Sequence, residues 1–369
     1  MPLRSPCVFT ALIRGRDPYA HAQSLRFHRP HPRAGSPCSC GGQYVKYIRN
    51  DSTDPYYNLA FEEHALHTLR DDDYIMLWQN DRAVVIGKHQ IAAEEVNLRR
   101  AEELGVRVVR RNTGGGAVYH DLGNLNFSYI TDWDPEKGAG YDVFLDPVIR
   151  ALERFGVTAE KRGRNDLVVD GKKISGNAQC IHAGRLLHHG TLLVSSDLSV
   201  MPEVLSIQDD KFASKGIKSV RSRVANISRF TKGSPDIALL KQALVESFFE
   251  SGIIDEHIPA ASETEDIRRR VTEKYGTWEW NIGSAADYSY KNSGRYPGGK
   301  VEVRLDVKKG VIERCKIYGD FLALIGVDEL ERAVVGCRAE RNELAGALGG
   351  FELTRYFGIT LDELLECFE

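Results

Sequence analysis

The chain has 369 residues, 42% of them hydrophobic and 27% charged, and a formal net charge of -3. This composition excludes a disordered or fibrous chain and allows a full core with room for two domains, while the small net charge gives no whole-molecule attraction to nucleic acid or to a membrane surface. No apolar run approaches the ~18 residues of a spanning helix, and the apolar stretch at 8–13 is too short and poorly flanked for a secretory signal, so an intracellular protein is expected.

The first 43 residues stand apart. They hold six of the 13 prolines, six arginines and one acid, Asp17, a net +5 that leaves -8 for the rest. Pro-rich polar sequence cannot bury enough surface to order itself, which predicts a flexible extension. A transit peptide is the alternative for an Arg-rich, acid-poor start, although the prolines and the lack of an amphipathic helix count against it. The seven cysteines are scattered; only Cys38 and Cys40 lie close, with no second pair to complete a zinc site, so free thiols in a reducing compartment are expected.

From Tyr44 the pattern becomes structural. "YVKYIRN" alternates like a strand; "DPYYNLAFEEHALHTLR" opens with a capping aspartate and a proline and continues at helical spacing; "YIMLWQN" and "AVVIGKHQ" are strand-like. "NLRRAEELGVRVVRR" predicts a short helix closed by Gly105 and a strand leading to Arg110 and Arg111, and "LNFSYI" a further strand. Antiparallel-looking strands with helices between them favour an α+β fold over a regular βαβ succession.

Residues 110–124 read "RRNTGGGAVYHDLGN". Gly114, Gly115 and Gly116 remove three Cβ atoms, so successive N–H groups can turn toward one concavity and cradle a phosphate. The spacing is neither Walker A nor the dinucleotide fingerprint, and a bare glycine triplet also serves as a tight hairpin. Arg110 and Arg111 add guanidinium forks suited to phosphate or carboxylate; being adjacent, only one of them should face a site.

A second constellation spans 161–195. "DLVVDGKKISG" predicts a hairpin turning at Asp170-Gly171, which sends Lys172 and Lys173 to opposite faces. Lys173, beside the small residues Ser175, Gly176 and Ala178, has room for a ligand, although a hairpin lysine is commonly a solvated charge. "LLHHGTLLVS" predicts an apolar strand entered through His188, His189 and Gly190, a pair that could equally be hydrogen-bonded packing, with no third zinc ligand at useful spacing.

Taken together, "RRNTGGGAVYHDLGN", "GRNDLVVDGKKISGNAQ", "HHGTLLVSSDL" and "KFASKGIKSVRSRVANI", with "DPYYNLAFEEHAL" and "WQNDRAVVIGKHQ" before them, closely resemble the lipoate-protein ligase A family in the same order. The resemblance runs from about Tyr44 to the C-terminus. It implies an α+β fold with mixed and antiparallel sheets and flanking helices, a biotin/lipoate ligase-like catalytic domain at 44–258 and a small α+β accessory domain at 262–369.

The activity it implies is ATP-dependent formation of lipoyl-AMP and pyrophosphate, then transfer of the lipoyl group to a lysine of a lipoyl domain, in a dehydrogenase E2 subunit or a glycine-cleavage H protein. Lys173 would be catalytic, lying between carboxylate and α-phosphate. Arg111 and the loop Gly116, Ala117, Val118 and Tyr119 would hold the nucleotide, and Asn124 and Asp166 could orient it or Mg²⁺. His120 and His189 would border the lipoyl tunnel, with Leu59, Trp78 and Val118 lining it; Lys173 and Arg111 would also face lipoate. No protein-bound metal cluster, no nucleic acid and no membrane enter this picture. A monomer is expected, in the cytoplasm or, if the extension is a transit peptide, the mitochondrion.

The cationic stretch with Lys211, Lys215, Lys218, Arg221, Arg223 and Lys232 resembles the family's adenylate-binding loop, though a charge run is often a solvated face. Farther on, "PAASETEDIRRR" reads as a polar connector, hairpins are expected at Pro297-Gly298-Gly299 and Lys309-Gly310, and "VDELERAVVGCRAERNELAGAL" as two short helices. A related octanoyltransferase would use a cysteine nucleophile and no ATP, but residues 158–164 contain none, and Cys180 is expected in a loop with a packing role. A non-catalytic lipoyl-domain binder would have no use for Lys173.

Overall fold

The computed structural model describes residues 45–136, 140–205, 223–233, 235–249, 254–283 and 288–368. The N-terminal extension and the expected cationic positions Lys211, Lys215, Lys218 and Arg221 lie outside the described residues.

The main sheet has eight strands in the order β11-β1-β2-β6-β10-β9-β8-β7. These are β1 (Val45–Ile48), β2 (Asp73–Trp78), β6 (Asn124–Asp132), β7 (Glu160–Arg162), β8 (Asp166–Val169), β9 (Lys172–His182), β10 (Arg185–Leu193) and β11 (Asp255–His257). β1 runs parallel to β2 and β11, and the other neighbours are antiparallel. A three-stranded sheet, β4-β3-β5, joins β3 (Ala83–Ile86) to a parallel β4 (Arg107–Arg110) and an antiparallel β5 (Val118–His120). The mixed sheets agree with the α+β expectation.

Helix α1 (Pro55–Thr68) lies between these two sheets. It starts where Asp54 accepts the Tyr56 N–H at 2.8 Å and Pro55 supplies a preset φ, a cap whose loss costs about 1 kcal/mol. Its face packs with Trp78, Val85, Val109, Ile130 and Leu187, contributed by β2, β3, β4, β6 and β10. Residues 58–66 are all buried, including Glu62, Glu63 and His64, so the helix carries charged side chains into the interior, each of which needs a partner there. The opposite face of the main sheet, with Ile75, Leu77, Leu125, Phe127 and Leu192, is covered by the helices Asp142–Glu153 and Ile237–Phe248.

Three local expectations are corrected. The stretch read as a polar connector contains the helix Ala261–Arg270, whose single apolar anchor Ile267 packs with Tyr275 into the α1 core. Arg270 bridges Asp266 of its own helix and Glu63 of α1; few apolar residues sufficed because ion pairs carry much of the docking. Cys180 lies in β9, not in a loop, because that strand runs on to a turn at Ala183 (φ 45°) and Gly184 (φ 80°). His188, His189 and Gly190 lie inside β10, which begins at Arg185.

A separate core forms within 288–368, where the antiparallel sheet β12 (Tyr290–Tyr296), β13 (Gly299–Lys308) and β14 (Val311–Gly319) packs Val301, Val303 and Ile317 against Leu330 and Leu344. The last two belong to the helices Asp328–Val334 and Arg341–Leu348. Among the described residues, no helix is long and apolar enough to cross a membrane.

Candidate active site

Strand register sets out the site. Trp78, Asn126 and Thr191 stand opposite one another across β2, β6 and β10, and the next row brings together Met76, Ser128, His189 and Ala178. Alternation turns these side chains to the face that α1 and the small sheet cover. Two adjoining cavities lie there. The smaller, about 160 Å³, is lined by Leu59, Trp78, Val85, Arg111, His120 and His189 among others; the larger, about 330 Å³, by Glu95, Tyr119, Asn124, Ser175, Met201 and Leu205 among others. Ala117, Val118, Lys173, Gly176 and Thr191 line both.

Lys173 reaches this shared wall through the β8–β9 hairpin, where Asp170 (φ 49°) and Gly171 (φ 73°) make the expected turn. A register shift between Leu167 and Val168 places Val168 opposite Lys173. The ammonium lies 2.7 Å from Asp166 Oδ1, with both side chains about a third exposed. It crosses over Gly176, where a Cβ would sit 2.9 Å from Nζ, so a larger residue would displace it. The main chain at Lys173 also receives the Ala225 N–H at 2.9 Å. The end of the cationic stretch is thus pinned beside the lysine.

The glycine loop differs from the expected open cradle. Gly115 (φ 92°) donates its N–H to the Phe321 carbonyl at 2.9 Å, and a Cβ on Gly114 would come within 2.3 Å of that same oxygen. The absent side chains let two backbones touch. Arg111 scaffolds the loop: Nη2 donates to the carbonyls of Gly114 (2.7 Å) and Gly116 (2.9 Å), Nη1 to Val85 (3.1 Å) and Nε to Thr113 Oγ1 (3.0 Å). Burial pushes its pKa down to about 10, with Glu62 opposing. Arg110 turns away and donates to the carbonyls of Gly87, Lys88, Trp280 and Asn281.

Glu62 was not singled out by the sequence reasoning, and it organises the smaller cavity. With its side chain 2% exposed, its Oε1 accepts from Ser128 Oγ (2.7 Å) and His189 Nδ1 (2.8 Å). Ser128 in turn accepts the Trp78 indole N–H at 2.8 Å, and Thr113 Oγ1 lies 2.7 Å from His189 Nε2. Trp78, Ser128, Glu62, His189, Thr113 and Arg111 therefore form one continuous network. Its sequence signal is a pair of adjacent acids, Glu62 and Glu63, between the apolar runs Leu59–Phe61 and Ala65–Leu66 of one helix.

The remaining expected residues are placed as follows. Leu59, Trp78, His120 and His189 line the smaller cavity; Tyr119 and Asn124 line the larger; Gly116 belongs to the smaller alone. Asp166 enters through its pair with Lys173. The Asn124 amide donates to Asn126, while Asn124 Oδ1 and the Tyr119 hydroxyl are buried without a protein partner. Among the described residues, no cluster of three or more His, Cys, Asp or Glu could hold a metal ion by itself.

A lysine on the wall common to two adjoining cavities, each edged with buried polar atoms that the protein leaves unpaired, can bring two substrates together. Residues 54–249 match the family described as the lipoyl protein ligase A/B catalytic domain, and residues 285–368 the bacterial lipoate protein ligase C-terminus. Lipoate-protein ligase LplJ of Bacillus subtilis (strain 168) is 44% identical over 326 residues, which span 87% of this chain and 98% of the relative. The structure is similar to that of P. falciparum LipL1 in complex with lipoate, with TM-score 0.75 and 25% identity over 88% of this chain and 98% of that one. A lipoate-protein ligase A bound with ATP gives TM-score 0.58 and 30% identity over 65% of this chain and 99% of that one. The chain belongs to the lipoate-protein ligase family, and it is an enzyme of the ligase class.

Proposed function

We propose that the smaller cavity takes lipoate, the larger takes ATP, and Lys173 serves both half-reactions. The carrying observation is the position of Lys173 on the wall that the two cavities share. In the first half-reaction a lipoate carboxylate oxygen attacks the α-phosphorus, the bond to the β-phosphate bridging oxygen breaks, and pyrophosphate leaves. Two anions must approach closely, and an ammonium between them offsets their repulsion as charge builds on the transferring phosphoryl group. In the second, the amine of an acceptor lysine on a lipoyl domain attacks the acyl carbon. The bond to AMP breaks, an amide forms and the amine loses a proton.

The apolar wall of Leu59, Trp78 and Val85 suits an alkyl chain ending in a dithiolane. Asn124 Oδ1 and the Tyr119 hydroxyl offer the nucleotide buried polar atoms that the protein leaves unpaired. Mg²⁺ is usually held by one or two protein oxygens together with substrate phosphates. Asn124 Oδ1 and the second carboxylate oxygen of Asp166 fit that modest requirement, and the ion would neutralise phosphate charge. Residues 44–258 carry both half-reactions in this reading and residues 262–369 cover the site; the presence of Leu322 in the smaller cavity's lining supports that division. The test is pyrophosphate release from ATP on adding lipoate, followed by a lipoyl-sized mass gain on a lipoyl domain. Release that needs no lipoate, or transfer that needs no ATP, would refute it.

A further inference from the structure

The two histidines of the smaller cavity differ in one respect. Both ring nitrogens of His189 are engaged, by Glu62 and Thr113. His120 is 3% exposed, and its Nε2 has no partner.

A chain of amides fixes what that nitrogen carries. Asn58 Nδ2 lies 3.1 and 2.9 Å from the carbonyls of Ser52 and Gln79, which only accept, so the orientation of the Asn58 amide is set. The same nitrogen faces Asn80 Oδ1 at 2.9 Å, which leaves Asn80 Nδ2 to face His120 Nδ1 at 3.1 Å. Nδ1 must therefore accept. Burial, with Arg111 and His189 adding to it, pushes the ring's pKa down to about 3, so the imidazole is neutral and its single proton sits on Nε2. His120 thus presents a fixed, desolvated N–H donor to the smaller cavity.

Asn126 Nδ2, in the same lining, is a second buried donor without a partner. The substrate carboxylate belongs at the shared wall beside Lys173, and His120 lines only the smaller cavity, two residues beyond Val118 on β5. With the carboxylate held there, the partner that the substrate can offer this donor is an uncharged acceptor atom on the acyl chain.

Resting on the lipoate reading of the cavity, we propose that His120 is a specificity-determining residue that selects acids whose chain carries a soft acceptor, a dithiolane sulfur, over straight alkyl acids of similar length. An octanoyl chain fills the cavity and leaves the donor buried and unpaired, whereas a sulfur, although a weak acceptor, gives it a partner. Sites built around a buried donor reject analogues that lack the acceptor.

The experiment compares kcat/KM for ATP-dependent pyrophosphate release with lipoate and with octanoate, in the wild type and in His120→Phe. The expected result is a lipoate-to-octanoate ratio lowered roughly five- to tenfold by the ring that cannot donate. Turnover of both acids with a ratio that His120→Phe leaves within twofold overturns this inference alone; no turnover of either acid by the wild type overturns the ligase reading and this inference with it. Imidazole ¹⁵N spectra of the wild type provide a check independent of the variant. The Nε2–H tautomer, with its proton signal moved by lipoate and not by octanoate, is expected; the Nδ1–H tautomer would refute the assignment.

Discussion

The two cavities share a wall but are held in different ways. Around the smaller one, Trp78, Ser128, Glu62, His189, Thr113 and Arg111 satisfy one another in a continuous buried chain, and the donors His120 Nε2 and Asn126 Nδ2 are left over beside it. Around the larger one, Asn124 Oδ1 and the Tyr119 hydroxyl lack protein partners, and Lys173 is paired, among the described residues, with Asp166 in an ion pair that water can reach. A substrate that offers mostly hydrocarbon cannot organise polar walls, so the protein fixes them in advance. A nucleotide brings its own acceptors and charges, and the protein leaves polar atoms for it to complete.

If this contrast is right, breaking the shared wall and breaking the network should fail differently. Lys173→Ala should lower lipoate-dependent pyrophosphate release by about a thousandfold or more, the scale of a lost electrostatic group in a preorganised site. The thermal midpoint should hardly move, because the side chain is 38% exposed and contributes charge more than packing. Wild-type release by this variant would remove Lys173 from the chemistry. Glu62→Ala should do the reverse in proportion. It strands the Ser128 hydroxyl and His189 Nδ1–H and leaves Arg111 without its buried counter-charge, which costs about 3 kcal/mol of stability. Activity should fall through a raised KM for lipoate more than through kcat. Glu62→Gln keeps an acceptor and should recover part of both losses; denaturant unfolding with lipoate titration decides whether it does.

The larger cavity provides a pH test. Burial, reinforced by Asp320, pushes the Glu95 carboxyl up to about 6 from an ordinary 4.5. A carboxyl raised on folding binds its proton more tightly in the native state, so it costs stability above pH 6, and this cost vanishes below about 4.5. Glu95→Gln should therefore stabilise the protein by about 1 kcal/mol at pH 8, after allowance for partial solvation, and by nearly nothing at pH 4.5. Melting curves of both proteins at the two pH values measure this, and a pH-independent difference would exclude a raised pKa.

The parts legible in the sequence are those governed by short-range chemistry. Asp170-Gly171 dictates a turn with both residues at positive φ, and from that turn alternation alone puts Lys173 on one face. Gly105 and the Lys309-Gly310 turn are likewise where backbone rules place them. Long-range pairing was hidden. Nothing near Gly115 announces that its amide meets the carbonyl of Phe321, about two hundred residues later. Glu62 looks like surface charge because α1 has a helical period, and only its position between two sheets makes it a buried acceptor. The helix Ala261–Arg270 reads as a linker for the opposite reason, since its docking rests on ion pairs to α1 and not on an apolar stripe.

The smallest expected effect separates ligase from thiol-dependent acyl transfer. An octanoyltransferase passes its acyl group through a cysteine thiolate, so its nucleophile needs a lowered pKa. Cys180 is only partly buried by area, but its sulfur is desolvated, and burial with the nearby Glu62 and Glu63 charges pushes its pKa up to about 12. At neutral pH it is a thiol, and it packs with the α1 core; it is absent from the lining of both cavities. Cys180→Ser should therefore retain most of the ATP-dependent activity and lose at most about 1 kcal/mol of stability, the cost of a hydroxyl in a partly apolar site. Intact-mass measurement after incubation with an acyl-carrier donor completes the comparison. No acyl adduct is expected on the wild type, and an octanoyl group trapped on Cys180, together with loss of transfer in the serine variant, would replace the adenylate route with a thioester one.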